Sequence, residues 1–197
     1  MIETASRYEA LGSHGNAFVD LLLFTALEFE GLLSREELVA TLLALPQFAL
    51  DQAANLLARS VRSAGDPSAY WHNRAKPFIK AAWPKSADRS SESISKAFAQ
   101  LCIWSNDGIS DALSDLGPWI RPTAHPGMVY HEVSQGDAVQ KHPREVLTLL
   151  DAITTGDATW VATELKTCLA RIREGNESLS GTSEFRRLEE LVRRYSH

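Results

Sequence analysis

Apolar residues recur about every 3.6 positions along almost the whole chain, and this periodicity is the feature that most restricts its fold. Ile94, Phe98 and Leu101, for example, fall on one stripe of a helix. No segment alternates strictly between apolar and polar residues, as a half-buried strand would. The sequence therefore predicts an all-α protein.

Local signals mark where several helices begin. Ser34 is followed three residues later by Glu37, which is the pattern of a capping box. Asp66-Pro67 and His142-Pro143 each place a proline at the first helical position, where its missing N–H leaves no bond unmade. Pro77 lies inside a helical pattern and predicts a kink there. In all, about nine or ten helices are expected, joined mostly by short loops.

Short loops favour antiparallel neighbours, so we predict antiparallel helical hairpins stacked as a HEAT-like α-solenoid. An irregular helical bundle is the alternative, because no exact sequence period is visible. The predicted organisation is an N-terminal arm (1–15), a helical hairpin array (16–117), a Pro/Gly/His-rich connecting segment (118–141) and a C-terminal three-helix unit (142–197). The array and the C-terminal unit can form one continuous domain.

The helix predicted over 17–30 is apolar almost all round, and its composition is typical of a protein interior. We therefore expect a central helix that is covered on two sides. Its apolar run is too short to cross a bilayer and contains Asp20 and Glu28, so no membrane partner is expected.

Cysteine usage and charge restrict the compartment and the partners. Cys102 and Cys168 lie in helical apolar patterns, where a thiol behaves as a small hydrophobic group. With no signal-peptide pattern at the start, this favours a reducing, cytoplasmic location. The formal net charge of −5 argues against nucleic acid as the main partner, because phosphate binding needs a surplus of Lys and Arg.

Two segments carry a resemblance to known proteins. They are the run from Trp71 to Phe78, with Trp83-Pro84 after it, and the run from Lys141 to Leu150. Both are similar to parts of the HEAT-like helical C-terminal regions of large bacterial anti-phage-defence-type proteins, in which a SIR2-like or nucleotide-triphosphatase domain precedes the array. The resemblance implies a scaffold in a defence-type assembly, as an excised domain or a free-standing subunit. The chain shows neither a phosphate loop nor a Gly-x-Gly-x-x-Gly turn.

Signals for chemistry are weak. His125, His131 and His142 share one loop-rich region but lack the spacing of zinc ligands. A Gly-x-Ser-x-Gly nucleophile motif is absent. Arg7 and His14 match the spacing of a HEPN-like ribonuclease, although two nearby glycines would break the helix that presents such a pair. We predict a non-enzymatic chain with no cofactor and no metal, with the ribonuclease as an alternative.

Tryptophans and basic residues mark the candidate binding surface. Basic residues from Arg59 to Arg89 are interleaved with aromatic ones, as in a nucleic-acid channel, but the acidic total favours a solvated helix face. Trp71 and Trp83 fit core wedges, whereas Trp119, in a Pro-rich loop, fits a partner contact. The candidate partner-contact residues are Trp71, Arg74, Lys76, Lys80, Trp83 and Trp119. The leading prediction is a non-catalytic scaffold for a protein partner or an adjacent domain. A nucleic-acid-binding module that uses the basic face from Arg59 to Arg89 is the first alternative, ahead of the ribonuclease.

Overall fold

A computed structural model of the chain describes residues 15–29, 32, 34–85, 89–155 and 162–195. These residues form helices joined mostly by short turns, and their extended pairing is limited to one isolated bridge between Thr123 and Thr154. The all-α prediction is therefore confirmed. Stacking of the helices as hairpins in a solenoid stays a prediction, and most of the predicted N-terminal arm lies outside the described residues.

The helices are numbered here in chain order. The N-terminal part contains α1 (Gly15–Glu28), α2 (Arg35–Ala44), α3 (Gln47–Ser63), α4 (Pro67–Tyr70), a wide π-helical turn (Trp71–Ala75) and α5 (Lys76–Ala82). The rest contains α6 (Glu92–Trp104), α7 (Ile109–Leu116), α8 (Gly127–Gln135), α9 (Ala138–Lys141), α10 (Pro143–Ile153), α11 (Ala162–Gly175) and α12 (Ser183–Tyr195). Short 3-10 turns span Asn106–Gly108, Gly117–Trp119 and Glu177–Gly181. In the described part of the chain, no helix is both long enough and apolar enough to cross a membrane.

The predicted start signals of α2 and α4 are confirmed by their hydrogen bonds. Ser34 Oγ accepts from the N–H of Glu37 at 3.2 Å, and Glu37 Oε2 accepts from the N–H of Ser34 at 2.9 Å. Asp66 Oδ1 accepts from the N–H of Ala69 at 2.9 Å, with Pro67 as the first helical residue. These side chains satisfy donors that the first turn of a helix leaves without partners.

Pro77 lies in the first turn of α5, directly after the wide turn. A regular helix would press its ring against the carbonyl four residues earlier, and the ring supplies no N–H. The turn widens instead, so that the N–H of Lys76 donates to the carbonyl of Trp71, five residues back. The predicted disturbance at Pro77 thus takes the form of a widened turn within a continuing helix.

The centre of the fold is the pair α3 and α6, which pack along one another. The buried side of α3 is rich in alanine, which lets the two helices approach closely. Helix α1 also packs on α3, while α7, α8 and α10 pack on α6 and lead to α11 and α12. One cluster of buried apolar side chains extends from Val19 to Val192. The boundaries at 117 and 141 stay predictions.

The segment 118–141 is partly helical, although it is rich in Pro, Gly and His. It contains α8 and α9, and the side chains of Val129, Tyr130 and Val133 are fully buried. The extended stretch before α8 is fixed by Ser95, whose Oγ donates to the carbonyl of Arg121 at 2.7 Å and accepts from its N–H at 2.9 Å.

Helix α1 does not have the two-sided cover that its composition suggested. Val19, Leu23 and Leu27 are buried in the core, but Leu21 is 64% exposed and Phe24 is 57% exposed. The expectation of a central helix was therefore wrong. A helix that is apolar all round fits a buried position, but it equally fits a helix with one face in the core and another open to a partner.

Candidate interaction surface

Three of the predicted partner-contact residues belong to an ion-pair network. It joins α7 to the continuous segment that contains α4, the wide turn and α5. Trp71 Nε1 donates to Asp111 Oδ2 at 3.0 Å, and Lys76 Nζ donates to both carboxylate oxygens of Asp111. Lys80 Nζ lies 3.3 Å from Asp115 Oδ1. The hydrogen bond between Lys76 and Asp111 raises the pKa of Lys76 and lowers that of Asp111. The network therefore neutralises both lysines within the fold.

The tryptophans proposed as partner contacts lie in the core. Trp71 is 0% exposed, Trp83 3% and Trp119 8%. Phe98 lies between the last two, with ring centroids 5.1 Å from Trp83 and 6.2 Å from Trp119 in edge-to-face geometry. The expectation that Trp119 offers a partner contact is corrected by this burial, because its ring already fills the space beside Phe98. For Trp71 and Trp83, the core interpretation agrees with the structure.

Other basic residues of the 59–89 segment also bind within the fold. The Arg62 guanidinium lies 4.7 Å above the Trp104 ring and 3.4 Å from Glu132 Oε1. Arg89 donates to two carbonyls at the end of α2, and Lys85 Nζ donates to a carbonyl of α5. Arg74 is half-buried. These contacts weaken the nucleic-acid alternative, since phosphate binding needs cations that are available to phosphates.

The groups considered for catalysis or metal binding give no constellation in the described residues. No three His, Cys, Asp or Glu side chains there are placed to hold a metal ion. Cys102 and Cys168 are free and buried, and burial raises the pKa of both thiols, that of Cys168 to about 12. Arg7 and His14, the candidate ribonuclease pair, lie outside the described residues.

Large apolar side chains are exposed mainly at the N-terminal end of the described fold. Those between residues 18 and 48 are Phe18, Leu21, Phe24, Phe29, Leu32, Leu43 and Phe48. Elsewhere in the described residues, Met128 is the one exposed apolar side chain of this size. Phe24 and Phe29 pack against each other in edge-to-face geometry, so part of this set forms one apolar patch. Contiguous exposed apolar side chains are typical of an interaction surface, whereas scattered single residues are not.

A groove of about 520 Å³ lies within this surface, between α1, α3 and α4. Leu23 and Leu27 are its buried apolar residues on α1, and the exposed Leu21 and Phe24 also line it. Tyr70 lines the groove on the α4 side. The groove is therefore a preformed, mainly apolar surface along one side of α1.

Two carboxylates of α1 line the same groove. Asp20 Oδ1 accepts from Gln52 Nε2 at 3.0 Å, and Glu28 Oε1 accepts from the Tyr70 hydroxyl at 2.8 Å. Burial and Glu28 raise the pKa of Tyr70 to about 12, so the hydroxyl remains a neutral donor at physiological pH. No lysine or arginine among the described residues pairs with either carboxylate. The groove therefore combines an apolar lining with two negative charges.

Sequence reasoning missed this surface. Its signal was present in the all-round apolar pattern of residues 17–30, which was interpreted as burial on two sides. Periodicity identifies the apolar positions of a helix but does not tell which of them the rest of the chain covers. The predicted contact residues are aromatic or basic, and aromatic side chains occur in cores as readily as at interfaces.

The resemblance to defence-type helical regions rests on two segments that contribute no residue to the α1 groove lining, although the first begins directly after Tyr70. The first forms the turn and helix around Pro77, and the second spans the end of α9 and most of α10. Both segments contribute buried side chains to the core, such as Trp71 and Leu147. No protein-family model, curated protein or solved structure matches the chain.

Proposed function

We propose that this chain is a non-catalytic helical scaffold that binds another protein, or an adjacent domain of a larger protein, through the exposed apolar face of α1. One observation carries the proposal. On a single 14-residue helix, Val19, Leu23 and Leu27 are buried while Leu21 and Phe24 are more than half exposed. Burying large apolar side chains at an interface is favourable by about 25 cal/mol per Å² of area removed from water, before the costs of association.

The shape of the surface supports the same proposal. Protein interfaces are organised around a few anchor side chains, often aromatic, within a more polar rim. Phe24 fits the role of such an anchor, since its ring stands beside the groove and in edge-to-face contact with Phe29, at a centroid distance of 5.8 Å. Because the groove is already formed, a partner need not separate core side chains to enter it.

The resemblance of two segments to HEAT-like regions supports a scaffold role within a bacterial defence-type assembly. In such a role the catalytic activity belongs to another domain or subunit, and this chain supplies the contact surface. The buried tryptophans then contribute by fixing the helices that carry the surface, and the partner binds on α1.

Site-specific cross-linking tests this proposal. A photo-reactive benzoylphenylalanine replaces Phe24 in one variant and Met128 in another, since Met128 is 60% exposed on α8, away from the groove. In cells that naturally produce the protein, we expect position 24, but not position 128, to be cross-linked to one defined partner. That partner is either a separate protein or, in an intramolecular cross-link located by peptide mass spectrometry, an adjacent domain of the same protein. Adding Leu21→Glu should abolish that product. Identical products from both positions, or none from position 24, would contradict the proposal.

A further inference from the structure

We propose that the groove beside α1 binds a basic amphipathic helix of the partner protein. Its apolar side chains lie along the groove, and its Lys or Arg side chains pair with Asp20 and Glu28. This inference rests on the proposed function of α1 and adds the chemical class of the partner.

The length and lining of the groove fit a helix. The α1 residues that line it run from Ala17 to Glu28, which is about 16 Å along a helix axis, or three turns. A helix that binds in an apolar groove contributes anchors at positions i, i+3 or i+4, and i+7, and these anchors span about 10 Å. The groove is thus long enough for one such set and leaves room for a flanking charge at each end.

The positions of the two carboxylates select the charge of that helix. Asp20 and Glu28 lie eight residues apart on α1, or about 12 Å, close to the two ends of the groove lining. Both are held by the neutral donors Gln52 and Tyr70, so a cation can pair with either one without displacing a described ion pair. A neutral or acidic helix would instead desolvate two carboxylates without supplying a counter-charge, which is costly.

The same charges disfavour a second copy of the chain as the occupant. Asp20 and Glu28 are each four residues from Phe24, the exposed ring at the middle of the face. A two-fold axis through Phe24 with antiparallel α1 helices would place Asp20 of one copy against Glu28 of the other. A parallel pairing would place like residues together. Both arrangements bring like charges together, which costs binding energy.

Two designed peptides test the inference on the full chain. Both are fluorescein-labelled helices with leucine at positions i, i+3, i+4 and i+7, and they differ only in carrying lysine or glutamate at the flanking positions. Fluorescence anisotropy should show the lysine peptide binding at least about tenfold more tightly than the glutamate peptide. The preference should weaken as salt is added. Equal affinities, or no binding of either peptide, would overturn the inference.

Charge reversal on the protein provides the decisive variant. The double variant Asp20→Lys/Glu28→Lys should reverse the preference between the two peptides. The matched control is Glu174→Lys/Glu177→Lys, which makes the same change in net charge at exposed positions of α11 and the turn after it. Circular dichroism checks that both variants are folded. A preference that is unchanged in the α1 variant, or reversed in the control, would contradict the assignment of Asp20 and Glu28.

Other occupants give distinct results. Dimerisation that is detected by sedimentation and lost in Phe24→Glu would assign the groove to a second copy. Peptide binding gained only after deletion of residues 1–14 would assign it to the chain's own N-terminal residues. Either result overturns the inference. If position 24 cross-links to a protein while the peptides show no charge preference, the proposed function stands and only the partner class is wrong.

Discussion

Gly108 lies so close to the indole of Trp71 that a Cβ on the glycine would be 2.8 Å from Trp71 Cδ1. The ring has little freedom to move, because it is fully buried and its Nε1 donates to Asp111 at 3.0 Å. The backbone at Gly108 is in an ordinary helical conformation, with φ of −82°. The glycine is therefore required for space and not for its conformational freedom.

Gly108→Ala should lower the free energy of unfolding by about 1–3 kcal/mol, because the added methyl group overpacks the site beside Trp71. Gly181→Ala is the matched control, since nothing lies within 4 Å of its Cβ position and its φ lies outside the left-handed region. It should be neutral or stabilise by up to about 1 kcal/mol. Urea unfolding followed by circular dichroism measures both. Equal stabilities for the two variants would show that the contact with Trp71 is not tight.

Two carboxyl groups whose pKa values are lowered in the fold predict a loss of stability in acid. The pKa of Asp111 is lowered by Lys76 and that of Glu37 by Ser34, from ordinary values of 3.8 and 4.5. A carboxyl whose pKa is lower in the folded state stabilises the fold above its ordinary pKa, and the contribution is lost as the pH falls through the folded value. Through these two groups, the free energy of unfolding should stay level between about pH 7 and pH 5.5 and decline below about pH 4.5.

Asp111→Asn separates the charge from the hydrogen bond in the ion-pair network. The amide oxygen still accepts from Trp71, but it no longer carries the charge that pairs with Lys76. We expect a lower free energy of unfolding than that of the wild type at pH 7, and a smaller decrease between pH 7 and the acid range below about pH 4.5. Urea unfolding in both ranges measures it. An acid decline as steep as that of the wild type would show that Asp111 does not contribute to it.

Burial of both cysteines predicts slow modification. Cys102 and Cys168 are 0% exposed, and burial raises the pKa of both thiols, so neither forms the reactive thiolate near pH 8. Iodoacetamide should leave the native protein unmodified on a timescale on which the urea-unfolded protein gains two adducts, as followed by intact-mass spectrometry. Rapid labelling of one thiol in the native protein would mean that its helix opens readily.

The parts of the fold that depend on local sequence could be predicted. The bonds of Ser34 with Glu37 and of Asp66 with Ala69 join residues three apart, so the sequence alone contains both partners. The bond of Lys76 with Asp111 joins residues 35 apart, and sequence spacing does not indicate that they meet. For this reason the sequence predicts a partner contact for Lys76, whereas its ammonium group binds Asp111 within the fold.

The candidate site was harder to predict than the fold for a related reason. Leu21 and Leu23 are the same residue type in the same helix, yet one is 64% exposed and the other 2%. Their difference arises from where α3 lies, which is a property of the tertiary arrangement. Charge patterning held more information, because Asp20 and Glu28 interrupt the apolar run at its two ends and show that this helix is not wholly internal.

The widened turn before Pro77 has a consequence for the polar network. In a regular α-helix, residues five apart point about 140° away from each other around the axis. The wide turn instead brings Lys76 directly beneath Trp71, as the bond between their backbone groups shows. One carboxylate, that of Asp111, can then receive both side chains. Pro77 therefore sets the alignment of Trp71 and Lys76 through which this segment is bonded to α7. No atom of Pro77 takes part in the bonds themselves.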